Sequence, residues 1–157
     1  MRFLSGAEAT RVYAEIGTLF HPELTVDDMA VLLVTFEDDI AASVDPSWSI
    51  PITNPFHYDF FLRILGSEGV IELDETKQSL QITRASEGDR SFVLESFGPD
   101  VELAMLRHFV QCIRSGGFAP PAASGADGLR TLEIALAAYE SARRGQPVPI
   151  LEPAGLV

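Results

Sequence analysis

The stretch DMAVLLVTF, residues 28–36, is almost continuously apolar and decides the fold class. The run is far too short to span a bilayer, and its length between polar segments is typical of a strand inside a sheet. Three acidic residues at 37–39 predict a tight turn, and residues 40–44 predict the hairpin partner. We expect this strand to be central and covered on both faces.

Further strands surround this hairpin in the first two thirds of the chain. Residues 9–16 alternate apolar and polar side chains, which predicts a half-buried strand. Four more strands are predicted at 58–65, 70–73, 80–83 and 91–95. Their short connections favour an antiparallel meander over βαβ units.

Two helices are predicted in the last third. The first begins after Asp100 and ends at Gly116, and the second begins at a capping box spanning residues 124–127 and ends at Gly145. Helical spacing predicts a core stripe on each. These stripes are Leu103, Leu106, Phe109, Val110 and Ile113 on the first helix, and Leu129, Leu132, Leu136 and Tyr139 on the second.

This order of elements predicts a single α+β domain over residues 1–157, with a large, mainly antiparallel open sheet covered on one face by two helices. Apolar neighbours such as Phe60 and Phe61 point to opposite faces of one strand. We therefore expect the other face of the sheet to lie at a subunit interface in a homo-oligomer.

Charge and composition exclude several partners. The net charge is −12 and no basic run occurs, so nucleic acid and anionic membranes would repel the chain. The single cysteine cannot form an intramolecular disulfide, and the N-terminal residues show no signal-peptide pattern. We expect a cytoplasmic protein that binds neither nucleic acid nor membrane.

The sequence carries few chemical motifs. It contains no glycine-rich nucleotide loop, no metal-ligand cluster and no nucleophile elbow, so we predict no catalytic, cofactor-binding or metal-binding residue. His57 and Asp59 share one strand face. They could bind a metal ion or act as a general base with an orienting carboxylate, or they could simply form a solvated strand edge. The paired carboxylates Asp27–Asp28 and Asp38–Asp39 are assigned turn and cap roles.

Trp48 is the most informative candidate because it lies in a proline-stiffened loop, residues 45–56. Such a tryptophan forms either the wall of a sugar or small-molecule site, or a plug or subunit contact at the end of a sheet. The loop at residues 17–26 is a second candidate wall. The candidate substrate-binding residues are Trp48, His57 and Tyr58.

Several segments in order resemble one known family, the C-terminal domain of Gfo/Idh/MocA oxidoreductases. They include residues 27–36, Ser47-Trp48, 65–73, 124–129 and 137–142, and the resemblance covers essentially the whole chain. It implies a large open sheet that commonly mediates dimer or tetramer contacts, beside a Rossmann domain that binds NAD(P). The usual substrates of the family are sugars, inositols and related polyols.

The family's cofactor loop, catalytic lysine and assisting Asp and His lie outside the matched segments, so no catalytic residue is carried over. Asp39 stands where relatives usually have a turn glycine. The resemblance implies a substrate-binding and oligomerisation domain of an NAD(P)-dependent sugar or polyol oxidoreductase, not catalytic alone. The alternatives are a free-standing dimeric binding or assembly module, with a separate Rossmann-domain protein as a candidate partner, and a hydrolase using His57 and Asp59.

Overall fold

A computed structural model describes residues 1–50, 60–74, 79–86, 89–96 and 100–150, with backbone only for 79–86 and 89–96. The helices are α1 (Arg2–Ser5), α2 (Val101–Ser115) and α3 (Gly125–Arg144). The strands are β1 (Ala9–Gly17), β2 (Met29–Phe36), β3 (Ala41–Val44), β4 (Phe61–Gly66), β5 (Gly69–Asp74), β6 (Ser79–Ser86), β7 (Asp89–Ser96) and β8 (Val148–Pro149). The short helix α1 was not predicted from the sequence.

The strands form a four-stranded sheet with the order β3-β2-β1-β8 and two separate hairpins, β4–β5 and β6–β7. Every pairing is antiparallel, and the α+β class is confirmed. The described strands are divided among three sheets rather than gathered in one. Helix α3 packs on the four-stranded sheet, against β1 and β8.

The chain divides into two compact units. A discontinuous unit combines Met1–Ile50 with Phe118–Val157, and an inserted unit comprises Pro51–Gly117. The discontinuous unit contains the four-stranded sheet, α1 and α3, whereas the inserted unit contains both hairpins and α2. The single domain over residues 1–157 stays a prediction.

The core of the discontinuous unit lies on one face of the sheet, which we call the inner face. Its members include Val12 and Ala14 of β1, Leu32 and Val34 of β2, and Ala138 of α3, all buried. On the opposite, outer face of β2, Val31 and Leu33 are 45% and 57% exposed. Alternate side chains leave the sheet on opposite sides, and within the described residues of one chain only the inner side of β2 is buried. Cover of the outer face by a partner subunit stays a prediction.

Helix α3 packs through small side chains, and its predicted buried face is wrong. Leu132, Leu136 and Tyr139 are exposed, whereas Ala138 and Ser141 are buried. The Ser141 hydroxyl accepts a hydrogen bond from the Ala14 N–H at 3.1 Å and donates one to the Gln146 carbonyl at 2.8 Å. Small residues let the helix approach the strand closely, so the larger leucines lie on its other faces.

The predicted core stripe of α2 is also exposed. Leu106, Phe109 and Ile113 are each more than half accessible, and no residue of this helix is buried. Helical spacing identified an apolar stripe correctly but did not identify what covers it.

The predicted helix ends are confirmed. The Asp100 carboxylate accepts from the Leu103 N–H at 2.8 Å, and Ser124 and Asp127 form the reciprocal capping box of α3. Gly116 and Gly145 follow their helices with φ of 66° and 64°, the left-handed conformation that glycine adopts without strain.

The β2–β3 turn is tight although it contains no glycine. Asp38 and Asp39 have φ of 56° and 58°, as in a type I′ hairpin turn. The Ile40 N–H donates to the Glu37 carbonyl at 3.3 Å, and the Phe36 N–H donates to the Ile40 carbonyl at 2.7 Å. The predicted turn role of this acidic pair is confirmed, and Asp39 occupies a backbone conformation that favours glycine.

Candidate functional site

Trp48 follows β3. Its indole and backbone N–H groups are hydrogen-bonded, whereas the residue remains exposed to solvent. The indole N–H donates to the Asp27 carbonyl at 2.9 Å, and the backbone N–H of Trp48 donates to the Asp28 carbonyl at 3.3 Å. The residue is nevertheless 52% exposed. An aromatic ring that is held in place and accessible is suited to contact a ligand.

His21 stacks on this tryptophan. The two ring centroids are 5.5 Å apart and the ring planes differ by 11°. The His21 Nδ1 lies 3.6 Å from the Glu23 carboxylate. The structure thus brings together Trp48 and the loop at residues 17–26, the two walls predicted separately from the sequence.

Tyr139 of α3 completes the cluster. Its hydroxyl donates to Asp27 Oδ1 at 2.6 Å, and this hydrogen bond to the carboxylate raises the pKa of the Tyr139 phenol. We call Trp48, His21, Asp27 and Tyr139 the Trp48 platform. Sequence reasoning missed the contribution of Tyr139, because it was assigned to the buried face of its helix.

Asp28 lies beneath the platform and is completely buried. Its carboxylate accepts hydrogen bonds from three consecutive N–H groups, those of Leu19 at 2.8 Å, Phe20 at 2.9 Å and His21 at 2.6 Å. Burial raises the pKa of the carboxyl group, but the three N–H donors outweigh it and hold the pKa below its ordinary value. The turn and cap roles assigned to the Asp27–Asp28 pair stay predictions, since this carboxylate binds the N–H groups of a preceding loop and no helix begins here.

The other two candidate residues, His57 and Tyr58, lie outside the described residues, as does Asp59. Their role in a pocket, and the hydrolase hypothesis that uses His57 and Asp59, stay predictions. Cys112 lies on α2 with its sulfur 3.6 Å from His108 Nε2. The side chain of this cysteine is partly exposed.

A cavity of about 630 Å³ lies elsewhere in the discontinuous unit, on the inner face of the sheet. Leu32, Val34 and Val44 contribute to its apolar wall. At its charged rim the Arg2 guanidinium donates to Glu8 at 2.7 Å and to Asp127 at 2.9 Å. These charges are paired with one another, so the Trp48 platform is the better candidate for polar recognition of a ligand.

In the part of the chain that the structure describes, no three His, Cys, Asp or Glu side chains are grouped as metal ligands. Within the same residues, no helix has the length and apolarity needed to cross a bilayer.

Comparisons with known proteins agree with the sequence resemblance. The family model "GFO/IDH/MocA C-terminal domain" matches residues 1–72. The oxidoreductase YrbE of Bacillus subtilis (strain 168) is 31% identical over 95% of this chain and 44% of its own length. The chain belongs to the Gfo/Idh/MocA C-terminal domain family.

Other relatives share this pattern of coverage. The scyllo-inositol 2-dehydrogenase (NAD(+)) of the same organism is 28% identical over 95% of this chain and 44% of that protein. A crystal structure of a probable dehydrogenase from Thermotoga maritima superimposes with a TM-score of 0.72 at 27% identity, covering 95% of this chain and 45% of that one. The chain thus spans less than half the length of the relatives it matches.

The N-termini of α2 and α3 do not fit the pyrophosphate of a dinucleotide. A pyrophosphate binds where helix N–H groups are free and the local charge is positive. Here α2 begins at the carboxylate of Asp100, and the first turn of α3 is closed by Ser124 and Asp127. Both helix N-termini therefore present negative charge where a cofactor phosphate would need donors.

Proposed function

We propose that this Gfo/Idh/MocA domain supplies substrate-binding surface and a subunit contact to an NAD(P)-dependent sugar or polyol oxidoreductase, and is not catalytic alone. The observation that carries the proposal is the Trp48 platform, in which an aromatic surface lies beside a carboxylate, that of Asp27, and a hydroxyl, that of Tyr139. Relatives named as inositol dehydrogenases support the substrate class.

The chemistry of the platform suits a hydroxylated ring. The C–H groups of a sugar or cyclitol pack on the face of an aromatic ring, while its hydroxyl groups need acceptors close by. Asp27 Oδ1 accepts from Tyr139, and the same carboxylate has a second oxygen with which it can accept from a ligand hydroxyl.

Nuclear magnetic resonance tests the binding role directly, because Trp48 is the only tryptophan and gives a single indole N–H signal. We expect myo-inositol or scyllo-inositol to shift that signal in a saturable way. Trp48→Ala has no indole signal, so it is followed through its backbone amide signals, and we expect it to abolish binding. Leu33→Ala, on the outer face of the sheet, is the matched control and should bind like wild type. Unchanged binding by Trp48→Ala would contradict the substrate role, and polyol oxidation by the pure chain with NAD(P) would contradict its being non-catalytic.

A second candidate function, a free-standing assembly module, is favoured by the outer face of the sheet. Val31 and Leu33 are exposed at its centre, flanked by Tyr13 and Glu15 at the paired positions of β1. A second copy of the chain is the proposed occupant, since apolar surface on a sheet is stabilised by burial between subunits. A separate Rossmann-domain protein is the alternative partner.

Sedimentation velocity separates these partners. We expect a concentration-dependent homodimer for wild type and a monomer for Leu33→Asp, whose new carboxylate would be buried without a partner. Wild type that sediments as a monomer at every concentration would remove the second copy as occupant. The Rossmann partner would then be tested by the same measurement on a mixture of the two proteins.

A further inference from the structure

Asp28 is hydrogen-bonded both to the loop at residues 17–26 and to the segment that carries Trp48. Its carboxylate accepts from the N–H groups of Leu19, Phe20 and His21 in the β1–β2 loop. Its carbonyl oxygen accepts from the backbone N–H of Trp48 at 3.3 Å and from the Ser49 hydroxyl at 2.7 Å in the segment after β3. A single buried residue thus connects two loops that approach each other in space but not in sequence.

The Asp28 main chain is anchored in turn by the sheet. Its N–H donates to the Gly17 carbonyl at 3.1 Å, at the point where β1 ends and β2 begins. The carboxylate therefore projects from a fixed backbone rather than from a loop.

We propose that Asp28 is a positioning residue, whose buried carboxylate holds residues 19–21 so that the His21 ring stays stacked on Trp48 before any ligand arrives. The purpose of this arrangement, a preformed binding surface, rests on the proposed function. The geometry of the Asp28 carboxylate and its loop does not depend on that function. The positioning role can therefore be tested without a ligand.

A carboxylate is suited to this task because three N–H donors converge on it. Its two oxygens offer about four acceptor sites, so all three donors are satisfied. The amide of an asparagine has one oxygen and directs its own N–H groups toward the loop donors, so at least one loop N–H loses its partner. The loop would then move away, since a buried unpaired donor is costly.

Fluorescence of the single tryptophan measures the stack. We compare wild type, His21→Ala, Asp28→Asn and the double variant by emission spectrum and by acrylamide quenching. His21→Ala should make Trp48 more accessible to acrylamide, and Asp28→Asn should produce the same change with His21 still present. In the Asp28→Asn background the further change His21→Ala should have no effect, because the stack is already lost. A full His21→Ala effect in that background would overturn the proposal.

Ser141→Ala is the matched structural control. Ser141 is equally buried and also accepts from a backbone N–H of the sheet, that of Ala14 at 3.1 Å. We expect it to lower the melting temperature without changing Trp48 emission. An equal change of emission in Ser141→Ala would show that Asp28→Asn acts through general loosening, and this too would overturn the positioning role.

Amide hydrogen exchange on wild type keeps the proposal testable if Asp28→Asn does not fold. The N–H groups of Leu19, Phe20 and His21 should exchange at least about a hundredfold more slowly than in an unstructured peptide, although their side chains lie at the surface. Unprotected exchange at all three, with β1 protected, would refute it. Failure of inositol binding with these amides protected would instead contradict the proposed function and leave the positioning role intact.

Discussion

The two faces of the four-stranded sheet carry similar side chains and meet different surroundings. On the inner face of β2, Leu32 and Val34 are buried in the core with Ala138 of α3. On the outer face, Val31 and Leu33 from the same strand are exposed. Hydrophobicity alone therefore does not place a residue in the core; its direction from the strand and the element that covers it do.

The largest expected effect is on the free energy of unfolding, and it separates two adjacent residues on opposite faces of β2. Leu32→Ala should lower the free energy of unfolding by about 2–3 kcal/mol, because it removes buried methyl groups and leaves space behind. Leu33→Ala should change it by less than ~0.5 kcal/mol when measured on the monomer. Urea denaturation of both variants at low protein concentration checks this, and equal losses would mean that the outer face is also covered within one chain.

A smaller effect is expected at the turn that both faces share. Asp39→Gly should stabilise the protein by about 0.5–1 kcal/mol, because glycine adopts the φ of 58° at this position with less strain. Thermal unfolding measures the gain. The control is Gly145→Asp, which places an aspartate at a φ of 64° after α3 and should destabilise the chain. A loss of stability in Asp39→Gly would show that the Asp39 side chain makes a contribution larger than the strain.

The smallest expected effect concerns acid stability at the rim of the inner face. Hydrogen bonds from the Ser124 hydroxyl and backbone N–H, with a further one from Arg2, lower the pKa of Asp127 from 3.8 to about 2. Because the folded-state pKa is lowered, its stabilising contribution is complete above pH 3.8 and disappears as the pH falls toward 2.

The difference in melting temperature between wild type and Asp127→Asn should therefore shrink from pH 5 to pH 2, about the range over which this carboxylate is protonated. In about 1 M sodium chloride the part due to Arg2 should also shrink, because that pair is partly exposed and salt screens it. A difference that is constant with pH would show that the two side chains differ in packing rather than in charge.

Local signals made much of the fold predictable. Capping side chains and terminal glycines fixed the ends of α2 and α3, and period-two alternation identified β1. The buried faces of the elements were harder to predict. The apolar run of β2 contains no alternating polar residues that would show which side is covered. In α3 the leucines indicated the wrong buried face, since contact with the strand is made through Ala138 and Ser141.

The site was predictable only in part. Trp48 and the loop at residues 17–26 were identified by composition and position, and the structure joins them through His21. The pairing of Asp27 with Tyr139 spans 112 residues and leaves no local pattern in the sequence. The three N–H groups that converge on Asp28 belong to the backbone, so the sequence alone could not show them.

The discontinuous unit also fixes the order of events during synthesis. Strands β1 to β3 are complete by Val44, but the helix that covers them begins only at Gly125, and β8 pairs with Val12 later still. At ordinary translation rates the ribosome needs roughly 5–15 s to make the intervening residues. For that interval the apolar side chains of the inner face are made but lack the helix that covers them, and exposed apolar surface of this kind promotes aggregation.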